Sequence, residues 1–199
     1  MGYLGTKPSV ATSLVDGIVT ADKIAAGAVT DPKIAAMAAS KLSGVIPDAN
    51  APSGSVIQVV QATTTSMTTV TAANTNTDTA LTGSITPTSA SNRVLVLVTL
   101  PFIINSGGAA YAGFGLKRNS TIIYTPPNDG SGSFTYGIGA SAQLDGAFNL
   151  QFLDSPASSS AVSYTVFVNV YPPAQIRTPY NAGGATATTA VITLMEIAA

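Results

Sequence analysis

The sequence predicts a mainly β protein. An antiparallel β-sandwich of jelly-roll type occupies residues 53–199, preceded by an extended N-terminal stem with short helical turns. Three observations carry this expectation. Charged residues make up only 9 % of the chain against 46 % hydrophobic, where an average soluble domain has roughly 25 % charged. After residue 53 come eight to ten β-branched or aromatic runs, several alternating with period two, and no long helical pattern. Ahead of them a ten-residue phrase is said twice: residues 17–26 and 27–36 share Gly, Val, Thr, Lys, Ile, Ala and Ala at seven positions of ten.

The first twelve residues, MGYLGTKPSVAT, hold too little apolar surface to fold alone. Such a segment suits an extended path in a groove of another protein, with Tyr3, Leu4 and Pro8 as anchors and Gly2 and Gly5 permitting close backbone approach. Residues 13–52 form the repeat stem and linker. Thr20 is placed to cap a short turn through Ala26, which Gly27 ends; Asp31 and Pro32 start the second copy. Burying one Val or Ile contributes about 1.5–3 kcal/mol, too little to offset ordering ten residues at about 1–2 kcal/mol each. A single chain therefore does not hold these repeats folded. Several chains around one axis do, if Val19, Ile24, Val29 and Ile34 stack as axial layers. Pro47, Pro52 and Gly54 mark the boundary with the β region.

The strand-like runs beyond it are 55–62, 79–86, 92–100, 111–118, 120–125, 133–142, 147–153, 161–171 and 188–197. Val94, Val96 and Val98 share one face, with Leu95, Leu97 and Thr99 on the other. Val162, Tyr164, Val166, Val168 and Val170 likewise oppose Thr165, Phe167 and Asn169. Where both faces of a strand are apolar, as at 94–100, one face is expected to meet a neighbouring subunit. Pro87, Gly107-Gly108, Asn128-Asp129-Gly130, Pro156 and Gly183-Gly184 separate the runs. Three long loops, 105–113, 124–136 and 171–184, are rich in Asn and Tyr. Their candidate contact residues are Asn105, Tyr111, Tyr124, Asn128, Tyr180 and Asn181, which offer flat apolar area and amide hydrogen bonds suited to sugar rings.

The opening MGYLGTKP, with VTADKIAAGAVTDPKIAA after it, resembles the start of bacteriophage tail-fibre and related virion proteins. The β region is similar to a domain common at the ends of phage structural proteins, through SVIQVVQA, ITPTSASNRVLVLVTL, GLKRNSTIIY, QFLDSPASSSAVSYTVFV and ITLMEI in that order. The resemblance implies a homotrimeric virion appendage, made in the host cytoplasm. Its N-terminus would dock on a tail adaptor, baseplate or capsid protein, and its β domain would lie distal, presented to host surface polysaccharide. The alternative is a capsid head fibre or a decoration or cement protein with no receptor-binding role.

Composition excludes other classes. The net charge of -1 provides no basic field for nucleic acid or an anionic membrane, and no apolar run approaches a membrane span. With no Cys and no His, thiolate metal sites and the commonest general base are missing, so no cofactor, no metal and no enzymatic activity are expected. The only near pair of carboxylates, Asp145 and Asp154, brackets one expected strand at about 25 Å, too far for glycosidase chemistry. Asp154-Ser155-Pro156 reads as a turn, and Lys117-Arg118 as a solvated turn.

Overall fold

The computed structural model describes residues 20, 22, 24–26, 28, 51–125, 136–139, 143–171, 174–180 and 188–199. The chain divides into two units, Met1–Val45 and Ile46–Ala199. In the first, Asp22 sits in a 3-10 turn, the Ala28 amide donates to the Ala25 carbonyl, and Ile24 is 43 % exposed. Of the expected axial residues only Ile24 is described. Val19, Val29 and Ile34, and the anchors Tyr3, Leu4 and Pro8, lie outside the described residues.

The described residues of the second unit form eleven strands: β1 (Val56–Thr64), β2 (Thr68–Val70), β3 (Thr77–Ile85), β4 (Arg93–Asn105), β5 (Ala110–Arg118), β6 (Thr121–Tyr124), β7 (Tyr136–Ile138), β8 (Gln143–Asp154), β9 (Val162–Tyr171), β10 (Gln175–Thr178) and β11 (Ala190–Ile197). They form two antiparallel sheets. In the first, the order is β1-β11-β4-β10-β2, with β8 along the other edge of β4; in the second it is β3-β9-β5-β6, with β7 also on β5. Without the short β2, β7 and β10, the remaining eight strands lie as 1-8-3-6 in one sheet and 2-7-4-5 in the other. Every connection among them but the β5–β6 hairpin crosses between sheets, which is the jelly-roll arrangement expected of a closed two-sheet β fold. At the tip of that hairpin Asn119 has φ 53, the left-handed conformation that two-residue hairpin turns require and asparagine tolerates.

The period-two pattern decides what is inside. Val94, Val96 and Val98 are almost fully buried against Tyr164, Val166, Val168 and Val170 of the facing sheet. Phe102 and Phe148 of the first sheet meet Phe114 of the second, at centroid separations of 4.8 and 5.0 Å from it. On β3 the ladder to β9 slips between Asp78 and Thr82. There the Thr79 hydroxyl donates to the Val166 carbonyl at 2.8 Å and accepts from the Leu81 amide at 3.2 Å, so a side chain supplies partners to two backbone groups at the bulge.

Two elements escaped the sequence reading. The 171–184 stretch, expected to be a loop, contains β10, and β2 lies in text with no strand pattern. Both are three or four residues long, below the length at which alternation is legible. β10 exists because β4 offers it an edge, and β2 pairs in turn with β10. β11 pairs with Arg93–Thr99 and β10 with Ile103–Asn105, while β8 pairs with β4 from Val94 to Asn105. The Pro101 carbonyl accepts from the Thr178 hydroxyl at 2.8 Å and the Tyr180 amide at 3.2 Å. Its missing N–H faces that same edge, so the proline falls in the gap between β11 and β10, where it interrupts no ladder.

On the outer face of the second sheet, Phe167 is only 2 % exposed although it points away from the core. Its ring lies over Gly115, and Lys117 Nζ sits 5.5 Å from the ring centroid while pairing with Asp78. Lys117 is therefore strand surface, not a solvated turn. A Cβ at Gly115 would stand 2.1 Å from Phe167 Cζ and 2.7 Å from the Tyr124 carbonyl oxygen. Gly115→Ala is thus expected to displace both and destabilise the domain by about 1–3 kcal/mol, to be read from urea unfolding of the variant.

Candidate functional site

Strand direction sorts the connections into two ends. β4 runs from Arg93 to Asn105 and β8 returns from Gln143 to Asp154, so Val94 faces Asp154 and Asn105 faces Gln143. The base carries residues 51–55, 86–92, 119–120, 155–161 and the terminal 198–199. The opposite, distal end carries 71–76, 106–109 and the β9–β10 turn. Within this unit, the chain enters at the base: Gly54 N donates to Ala198 O, and Ala198 N to Ser55 O, both at 2.9 Å.

The base is closed by two buried polar clusters. Ile192, Leu194 and Glu196 alternate inward on β11, so the third member of an apolar series is a carboxylate with 0 % exposure. Its Oε1 accepts from the Thr88 amide at 2.7 Å, the Thr88 hydroxyl at 2.9 Å and Asn92 Nδ2 at 2.7 Å; Oε2 accepts from Gln58 Nε2 at 2.6 Å. Burial opposes the charge, but the hydrogen bonds from Asn92, Gln58 and Thr88 outweigh it and hold the carboxyl below its ordinary value. A shallow cavity of about 280 Å³ lies alongside, lined by Thr88, Ser89, Ser91 and Asn92 with three alanines. The carboxylate does not open into it.

The second cluster joins the sheets. Arg118 ends β5 facing inward and donates through Nη1 to both oxygens of Asp154 at 2.9 Å and to the Ser155 carbonyl at 3.1 Å. Tyr164 on β9 donates its hydroxyl to Asp154 Oδ2 at 2.8 Å. Burial first, then the bond to the Asp154 carboxylate, pushes the Tyr164 hydroxyl well above the usual tyrosine range, so it stays a donor. Arg118 and Asp154 are thus not the solvated turns expected from sequence: each sits where its strand's inward face reaches the edge of the core. Asp145, on the opposite face of β8, is exposed, and the two carboxylates do not converge.

At the distal end, Tyr111 and Tyr171 face each other across the β5–β9 ladder on the outer side of the second sheet, with ring centroids 6.2 Å apart in an edge-to-face arrangement. They are 38 % and 40 % exposed. Asn169, two residues along β9 on the same face, donates Nδ2 to Asn76 Oδ1 at 2.9 Å, and its own Oδ1 is buried with no hydrogen-bond partner. Two tilted, half-exposed aromatic rings make an uncharged surface able to stack on a flat ring, with the Asn169–Asn76 amide pair beside them.

The sequence-expected contact residues fall in different places. Asn105 ends β4 in the first sheet, and Tyr180 lies beside Pro101 with Arg177 5.9 Å from its ring. Both are on the sheet opposite Tyr111, so the three do not line one pocket. Tyr124 lies in the basal half of the second sheet, paired with Leu116 and edge-on to Phe152 at 6.1 Å. Asn128 and Asn181 lie outside the described residues. Tyr171, Glu196 and Arg118 with Asp154 were missed as site residues. The signal for Glu196 was present in its parity with Ile192 and Leu194; a cross-sheet partner such as Arg118 for Asp154 has none in the sequence.

No protein family and no curated protein matches the chain in sequence. Among solved structures it is similar to a chain of infectious bursal disease virus, Gx strain, with a TM-score of 0.38 and 10 % identity. The match covers 79 % of this chain and 42 % of that one. A likeness at that level assigns no function.

Because the folded Glu196 carboxyl lies below its ordinary value, its stabilisation is fully present above the unfolded value, near pH ~4.3, and is lost as the pH falls through the lowered folded one. Glu196→Gln is expected to be less stable near neutrality and to lose less on acidification, measured as urea midpoints across the acid range. Removing the Asp154 carboxylate leaves Arg118 and the Tyr164 hydroxyl without their acceptor. Asp154→Ala is expected to cost about 3 kcal/mol in the same measurement, and Tyr164→Phe about 1 kcal/mol.

Proposed function

We propose that this protein is a structural appendage of a virus particle, a homotrimeric tail fibre. It attaches through its N-terminal segment and turns the distal end of its β-sandwich toward the host surface. The observation that carries the reading is the polarity of the sandwich: the chain enters at the base, sealed by the Glu196 and Arg118–Asp154 clusters, while the exposed Tyr111–Tyr171 pair stands at the other end. The resemblance of the first thirty-six residues to phage fibre openings supplies the direction of attachment. Residues 1–12 then hold a tail adaptor, baseplate or capsid protein through Tyr3, Leu4 and Pro8. Val19, Ile24, Val29 and Ile34 order around a shared axis when three chains assemble. The ligand class at the distal end is a neutral surface polysaccharide, for which stacking rings and amides are the fitting chemistry.

Removing residues 2–12 is expected to leave the β domain folded and to abolish incorporation into particles that lack the protein, counted by mass spectrometry of purified particles. Full incorporation of the truncated chain would overturn attachment by the N-terminus and favour a cement protein docked through its β domain.

A further inference from the structure

The outer faces of the two sheets differ in a way the core does not require. On the second sheet the outward positions alternate paired polar groups with separate exposed apolar ones: Lys117 pairs with Asp78, Thr82 bonds Thr165 at 3.0 Å and Asn169 bonds Asn76, while Tyr111, Tyr171 and Ile122 are exposed. On the first sheet, register places Val59, Met195, Leu95 and Leu153 in one continuous row across β1, β11, β4 and β8. Val59 and Leu153, at its two ends, are 55 % and 47 % exposed. One level toward the base, Val56 (52 % exposed) continues the patch beside Ile197. The next two levels toward the distal end, through Leu97 and Thr99, hold only Gln, Thr, Val and Asn partners. Three levels across four strands therefore carry no charged side chain. Charge returns only at the margins, as Arg93 near the base and Asp145 near the distal end. Above them the face is already closed, since Ile103 is 2 % exposed.

We infer that this basal half of the first sheet's outer face is where each sandwich packs against its neighbouring copies, with the strands running along the common axis. This rests on the trimeric reading proposed above and adds the surface. Two features select a second copy as the occupant. An axis parallel to the strands brings every level of the face opposite the same level of its copies, so a charge within it would meet its own like charge; the three levels between Arg93 and Asp145 hold none. And β1, the strand that leads in from the fifty preceding residues, belongs to this sheet and enters at its base. Three such faces around one axis therefore bring the three incoming chains together as well. The apolar row supplies the association, and the Gln, Thr and Asn side chains above it supply hydrogen bonds between copies.

The full-length protein tests this directly, because it contains no cysteine of its own. Leu97→Cys, Gln151→Cys and Thr193→Cys, oxidised as separate variants, are expected to give disulfide-linked pairs of chains for at least one position. Thr82→Cys, on the outer face of the second sheet, is expected to stay unlinked. Val59→Lys with Leu153→Lys, both half-exposed and so tolerated by the fold, is expected to weaken the trimer at least about tenfold in concentration by sedimentation. A trimer that neither links at the three positions nor responds to the two lysines would overturn the face while leaving the trimer intact. Linking at Thr82→Cys to the same extent would do likewise. A full-length protein that sediments as a monomer would remove both the face and the trimeric reading beneath it.

Discussion

Because Glu196 is buried with no cationic partner among the described residues, its charge rests entirely on donated hydrogen bonds, and every segment that supplies a donor must be in place before the carboxylate can leave water. The donors come from β1 and from the connection between β3 and β4, and the acceptor from the last strand. First and last strands of the fold are thus joined to the second crossing between sheets, from β3 to β4. Unlike apolar contacts, which weaken gradually as groups separate, a buried charge tolerates no partial arrangement: losing one donor exposes the full desolvation cost. Closure of the base is therefore cooperative with the pairing of β1 and β11, strands more than a hundred residues apart.

Arg118, Asp154 and Tyr164 repeat this logic across the sheets. One carboxylate on β8 collects a guanidinium from β5 and a phenol from β9, fixing the separation of the layers at the end where the aromatic stack of Phe102, Phe114 and Phe148 does not reach. Among the described residues the distal end has no equivalent: its polar pair, Asn169 with Asn76, lies on the outside, and Asn169 leaves an acceptor unsatisfied.

Much of this was legible in the sequence because strand alternation reports directly on burial. The parity of Val94, Val96 and Val98 and of Val162 through Val170 set the inward faces, and nine of the eleven strands lie within or across runs recognisable by eye. Strand order was not legible, since jelly-roll partners such as β1 and β11 lie more than a hundred residues apart and no local pattern names them. β10 and β2 were invisible because each takes its stability from a neighbour far away in sequence, β10 from the edge of β4 and β2 from β10. The polar clusters were misassigned for a related reason. Asp154-Ser155-Pro156 and Lys117-Arg118 have turn-like composition, and only the position of their strands at the rim of the core turns them inward. Of the candidate contact residues, Tyr111 acquires its aromatic neighbour Tyr171 through the β5–β9 register, a relation between residues sixty apart.

Pro101 divides β4 into two territories on one edge. Below it, β11 completes the eight-stranded frame; above it, β10 and β2 are attached to a sheet that is already whole. Nothing below the proline depends on a hydrogen bond above it along that edge. β10 and β2 reach the core through Ile176 and Val70, but they share no ladder with β11, so the pairing of β11 with β4 is set entirely below the proline. Pro101 is thus the joint on this edge between the eight-stranded frame and the strands added to it.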